Sequence, residues 1–183
     1  MAAQAVEGDV MTESDLLTIL PYAKPHIAAF FTPLCNAMKE FEIDSKERQA
    51  AFIAQIGHES GQLRYVREIA SGEDYEGRKD LGNTEPGDGV RFKGRGLIQI
   101  TGRENYLHCS QALFSDDRLI QFPELLEDPK NACRSAAWWW KAHRLNELAD
   151  AGNMYQITRV INGGTNGLAD RLALYKTAKG VLS

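Results

Sequence analysis

The sequence predicts a mainly α fold with one irregular excursion. Three observations carry this reading. Apolar residues between Pro25 and Phe41 recur at helical spacing, at Ile27, Phe30, Phe31, Leu34, Ala37, Met38 and Phe41. Ala50, Ala51, Phe52, Ile53, Ala54 and Ile56 leave almost no polar face, which marks a buried central helix. Residues 61–103 are glycine-rich and charged, with no helical period. At 183 residues and 43% hydrophobic, the chain suffices for one domain whose core divides into two lobes.

The elements follow in order. Residues 1–13 read as a flexible tail, and 14–183 as one domain with no separate binding module. Leu16 to Leu20 is a short helix stopped by Pro21. In the helix from Pro25 to Phe41, Pro33 should kink or split the run. Asp44 and Glu47 stand as a capping box before the apolar helix. That helix ends in His58, Glu59 and Ser60, with Gly61 as terminator. Within 61–103, Tyr65 to Ile69 and Leu97 to Ile100 read as strands. Asp128 and Pro129 then cap and open a helix running toward Ala149. Met154 to Ile161 and Leu168 to Lys179 complete the helices.

Charge and cysteine usage narrow the function. A net charge of −4 argues against a nucleic-acid partner. Residues 1–15 have no apolar signal-peptide core, and no run is long enough to insert in a membrane. Cys35, Cys109 and Cys133 have no metal or disulfide spacing and read as small buried hydrophobes. Residues 61–103 hold eight bases and seven acids, so this segment is +1 while the remainder is −5. So long a polar segment inside a compact domain is more often a site than a connector.

Glu59 stands where an apolar helix meets this segment. A carboxyl at the edge of a core suits a general acid, although a structural pair with an arginine is the competing reading. His58 and Glu59 begin an HExxH pattern, but position 62 is Gln62, so no metal is expected. No organic cofactor is implied either. Glycosidic cleavage needs a second carboxylate or a held water. On one continuous helix, Glu59 and Glu68 would lie about 13 Å apart on opposite faces. If the chain turns back at Gly61, Glu68 can face Glu59 across a cleft, with Glu73 and Glu76 as alternatives. Gln99 and Thr101 would share one side of a strand. Asn105 and Tyr106 add an amide and a ring suited to a sugar. Trp138, Trp139 and Trp140 point about 100° apart on a helix, so most of the cluster belongs to the core.

The blocks FIAQIGHES, VREIASG, GRGLIQITGRENY and VINGG resemble glycoside hydrolase family 19 over most of residues 14–178. The short form with its LLTILP opening resembles phage and prophage endolysins of that family. The resemblance implies an α+β, lysozyme-like fold, with a helical bundle lobe and a small β-hairpin and loop lobe flanking the cleft. It implies an inverting mechanism with Glu59 as general acid, Glu68 as general base and Thr101 holding water. Gln99, Asn105 and Asn162 fall at substrate positions, and Arg171 supports the acid; His58 and Tyr106, next to Glu59 and Asn105, are read as further substrate contacts. Glu59 and Glu68 are closer in sequence than the matching pair in plant chitinases. Thr165 and Asn166 stand where those enzymes place a glutamate and a disulfide cysteine.

The expected protein is a monomeric endolysin hydrolysing β-1,4 bonds of peptidoglycan glycan strands. It would be made in the host bacterial cytoplasm and reach the wall from the periplasm after release by a holin. The alternatives are a chitinase, a lytic transglycosylase or a non-catalytic glycan binder.

Overall fold

A computed structural model describes residues 11–182. Residues 1–10 of the expected tail lie outside this range. The tail boundary at residue 13 is too late: Met11 is buried, and Thr12 and Asp15 form a capping box for α1 (Glu13–Ile19). A 3-10 segment, Pro21–His26, leads into α2 (Ile27–Glu40). Pro33 sits inside α2 without splitting it. α3 (Lys46–Glu59) is capped by Ser45, whose hydroxyl accepts from Arg48 N at 3.2 Å. The expected cap at Asp44 is thus one residue early, and Asp44 instead lies 3.6 Å from Arg48 Nη1.

Beyond α3 come α4 (Asp88–Arg91), α5 (Arg103–Phe114) and α6 (Arg118–Gln121). α7 (Pro129–Ala142), α8 (Leu145–Asp150), α9 (Met154–Asn162) and α10 (Leu168–Val181) follow. Asp128 caps α7 as the sequence indicated. The run toward Ala149 is two helices, broken where Arg144 takes a left-handed φ of 59°. None of these helices is long and apolar enough to cross a membrane.

The mainly α architecture matches the expectation, but the β-hairpin does not form. Among the described residues only isolated antiparallel bridges occur, Arg67 with Arg95 and Arg95 with Ile100. Leu97 to Ile100 is a turn closed by the second bridge, not a strand. The alternation that was to put Gln99 and Thr101 on one face is therefore absent. Arg95 occupies the junction. It is 9% exposed and donates to Glu127, to the Arg91 carbonyl and to the Tyr106 hydroxyl. A side chain with that many partners replaces the ladder that a sheet would supply.

Two cores hold the molecule. The larger gathers α1, α2, α3 and α7 to α10, with Phe52 edge-on to Trp140 at 5.2 Å. Burying each such ring removes apolar surface worth about 1.5–3 kcal/mol. Gly57 in α3 admits Leu20, whose Cδ2 would lie 2.6 Å from any added Cβ. The smaller core comprises Phe92, Ile100, Tyr106, Cys109, Leu113, Leu119 and Leu126. Phe41 and Trp139 pack against both. Trp140 is buried and donates to Asn146, so the tryptophan run is largely packing, as helical geometry required. Cys109 and Cys133 are buried, and burial pushes the Cys109 thiol up to about 12.

Candidate active site

Glu59 is the last residue of α3. α10 packs along α3 and brings Arg171 to it, with Nη2 2.6 Å from Glu59 Oε1. Arg171 is 1% exposed and has every arm engaged: Nε on the Asn166 carbonyl at 3.1 Å, and Nη1 on Gln55 Oε1 at 2.6 Å. Gln55 is itself fully buried and donates to Thr158 Oγ1. It lies one turn before Glu59 on the same helix face, so helix period alone aligns both acceptors with one guanidinium. Sequence reasoning passed over Gln55. Its signal was present: an amide inside an otherwise apolar helix must find a partner.

A second clasp lies beside the first. His58 Nδ1 is 2.7 Å from Asp170 Oδ2, so two consecutive residues of α3 meet two consecutive residues of α10. Gly167, at φ +73°, makes room: a Cβ there would sit 2.2 Å from His58 Cε1. Asp170 was not singled out from sequence, where it looked like an ordinary first-turn acid.

Past Glu59 the chain reverses. Gly61, Gln62 and Leu63 are all left-handed, at φ 58°, 58° and 69°. Two of these are not glycine, a conformation that persists only where surroundings enforce it. The Ser60 hydroxyl accepts from Leu63 N, and Gln62 Oε1 accepts from Tyr22 N at 2.8 Å. The helix therefore stops at Glu59, and the opposite-face geometry of a continuous helix does not apply to Glu68.

Glu68 is half-buried. Its amide donates to the Gly94 carbonyl at 2.9 Å. Its Oε1 accepts from Gly94 N at 2.6 Å and its Oε2 from the Tyr75 hydroxyl at 3.0 Å. Burial and the Glu68 carboxylate push the Tyr75 hydroxyl up, which keeps it a donor. Gln99 covers the same glycine; a Cβ on Gly94 would lie 2.7 Å from its Oε1. Glu68 and Gln99 are thus joined through Gly94. Neither Tyr75 nor Gly94 was flagged from sequence.

The alternative carboxylates have other places. Glu76 accepts from Gly87 N and Gly89 N, which lower its pKa, and Glu73 is exposed on a 3-10 turn. Thr101 is half-buried; its carbonyl accepts from Asn105 Nδ2 at 2.8 Å, while its hydroxyl has no partner among the described residues. Asn162 is exposed and its Oδ1 accepts from Asn166 N. Tyr106 is a correction. It is fully buried in the smaller core, and its hydroxyl donates to the Lys93 carbonyl and accepts from Arg95. Burial pushes that hydroxyl up, and it is not available to a ligand. The position follows from α5, which turns the tyrosine inward one residue after exposed Asn105.

The arginines of residues 61–103 are mostly engaged, some within the loop and some with residues beyond it. Arg103 spans Asp88 and Glu85, Arg78 pairs with Asp80, and Arg91 caps the Ile120 and Gln121 carbonyls. The segment is thus tied to itself and to Ile120, Gln121 and Glu127, and is not the open cationic face its +1 charge suggested.

No protein-family model matches the chain. A Haemophilus influenzae protein described as "Glycosyl hydrolase family 19 domain-containing protein" is 31% identical over 163 residues, covering 72% of this chain and 78% of that one. The chain belongs to glycosyl hydrolase family 19. It is a glycoside hydrolase, and the other similarities agree. Endochitinase CHI of Arabidopsis thaliana is 36% identical over 118 residues, which is 60% of this chain and 41% of that protein. The chain spans about two fifths of the length of the plant endochitinases it first matches. The fold of Streptomyces griseus chitinase C superposes with a TM-score of 0.76 at 22% identity, over 98% of this chain and 79% of that one. A class IV family 19 chitinase from Zea mays gives 0.62 at 25% identity, over 98% and 86%.

Proposed function

We propose that this family 19 hydrolase cuts the β-1,4 glycan backbone of bacterial peptidoglycan, with Glu59 as general acid and Glu68 as general base. The observation that carries the proposal is the asymmetry of Glu59. One oxygen is held by buried Arg171, and among the described residues the other has no hydrogen bond. A carboxyl fixed at one oxygen and open at the other is placed to give a proton to the leaving glycosidic oxygen. Glu68, oriented by Gly94 N–H and the Tyr75 hydroxyl, would take a proton from water, which the unpartnered Thr101 hydroxyl helps to hold. Water then attacks the opposite face of an oxocarbenium-like centre, with inversion. Gln99, Asn105 and Asn162 would contact the sugars.

The wall polymer is favoured by the chain's resemblance to endolysins. In this reading the protein acts as a monomer, made in the host cytoplasm and released to the periplasm by a holin. The second reading, chitin, is favoured by the plant relatives named endochitinases. Purified sacculi and chitin, each incubated with the enzyme and analysed by mass spectrometry, separate the two. New reducing ends among released muropeptides are expected. Chitin fragments alone would replace the substrate, and anhydro-muropeptides would replace hydrolysis by transglycosylation.

A further inference from the structure

At the C-terminal end of α3 opens a cavity of about 540 Å³, lined by Tyr22, His26, His58, Gln62, Arg64, Tyr65 and their neighbours. Gly57 and His58 of its lining belong to the last turn of α3, the turn that ends at Glu59. Arg64 distinguishes it. Arg67, Arg78, Arg95 and Arg103 all have carboxylate partners, whereas Arg64 has none among the described residues. Its guanidinium lies over the Tyr65 ring, 4.9 Å from the centroid. That cation–π contact holds the guanidinium beside the ring and uses none of its N–H donors. The cavity's one acid, Asp170, is engaged by His58 Nδ1 at 2.7 Å. Tyr22 forms another wall, 79% exposed, with its amide tied to Gln62 across the left-handed turn. The arrangement offers a cation without a carboxylate partner, in a cavity with two aromatic walls.

We propose that Arg64 in this cavity binds a carboxylate carried on the glycan strand, and so favours an acidic wall polymer over a neutral one. Chitin has no such group. Peptidoglycan offers it on the peptide stem or, where the stem is removed, on the lactyl ether. The inference rests on the peptidoglycan reading and extends it to specificity.

The test uses native peptidoglycan and the same material with its carboxylates capped as primary amides, with release of reducing ends as readout. The wild-type protein should cut the native form about tenfold more efficiently, the scale of one charge-assisted pair at a half-open site. Arg64→Gln should bring the native-to-capped ratio to about one. On intact strands the preference reports the stem carboxylates; on amidase-stripped strands, native against capped, a preference retained shows that the lactyl carboxylate is also bound, and one lost confines binding to the stem. The inference is overturned if wild type shows no preference for the native form, or if Arg64→Gln keeps the wild-type ratio. If wild type cuts neither form yet degrades chitin, the peptidoglycan reading has failed and this one with it; activity on both forms without discrimination sinks the cavity alone.

Discussion

Glu59 Oε1 and Arg171 Nη2 meet at 2.6 Å although they are 112 residues apart, and the arginine is 1% exposed. A buried guanidinium must have its donors met, and Gln55, Asn166 and Glu59 meet them together. The pair therefore ties the position of the candidate acid to the packing of α10 on α3.

Removing the carboxylate while keeping its shape isolates chemistry from fold. Glu59→Gln retains an acceptor for Arg171 and should lower glycan cleavage by about 10²–10⁴-fold, the usual span for a general acid. Circular dichroism should be unchanged. Near-normal reducing-end release from this variant would remove Glu59 from the mechanism.

Arg171→Met leaves a half-buried carboxylate and a buried amide without their donor. Breaking such a pair costs about 3–5 kcal/mol when both groups are buried, and Glu59 is 25% exposed, so about 3 kcal/mol is expected. Urea denaturation measures it. Combined with Glu59→Gln the losses should be less than additive, because one contact is removed twice.

Tyr106→Phe tests whether the buried tyrosine is structural. The hydroxyl joins Lys93 and Arg95 in the smaller core, so its loss should lower stability by about 1–3 kcal/mol. Kinetic constants for the glycan should stay near wild type. A raised KM with unchanged melting temperature would return Tyr106 to the substrate site.

Gly167→Ala places a Cβ 2.2 Å from His58 Cε1 at a φ of +73°. Overpacking and left-handed strain together should cost about 2–4 kcal/mol and displace His58 from Asp170. A falling melting temperature is the readout, and an unchanged one would show that the clasp tolerates the shift.

Asp88 is one of the carboxylates of the loop segment that should contribute to acid stability. Arg103 beside it holds its carboxyl below the usual aspartate range, with the Glu85 amide adding to the effect. A depressed folded pKa stabilises above the unfolded value, about 3.9, and the contribution is lost as pH falls through the folded one. The melting temperature should therefore drop below about pH 4. Asp88→Asn should flatten that part of the profile and lower stability at neutral pH. A profile identical to wild type would assign the acid response elsewhere.

Much of the helical scaffold was legible because apolar period and caps are local. The helix ending at Glu59, the Asp128 cap and the packing of Trp140 all follow from nearest-neighbour chemistry. The Asp44 cap failed by one residue because Ser45 competes for the same amides. The strands failed because isolated bridges and side-chain ties, centred on Arg95, serve where periodic pairing was expected. Gln55 could have been found by asking what an amide does in an apolar helix.

The sequence by itself determined a mainly α chain with a polar, glycine-rich insertion and an acid at its edge. Those properties depend on residues within a few turns of one another. Only the tertiary structure decided which carboxylate oxygens are held and which are open. Arg171 reaches Glu59 because α10 packs on α3, and Gly94 and Tyr75 reach Glu68 because the loop folds back on itself. Such pairings depend on distant segments whose approach is set by burial of the two cores, and no local pattern encodes them.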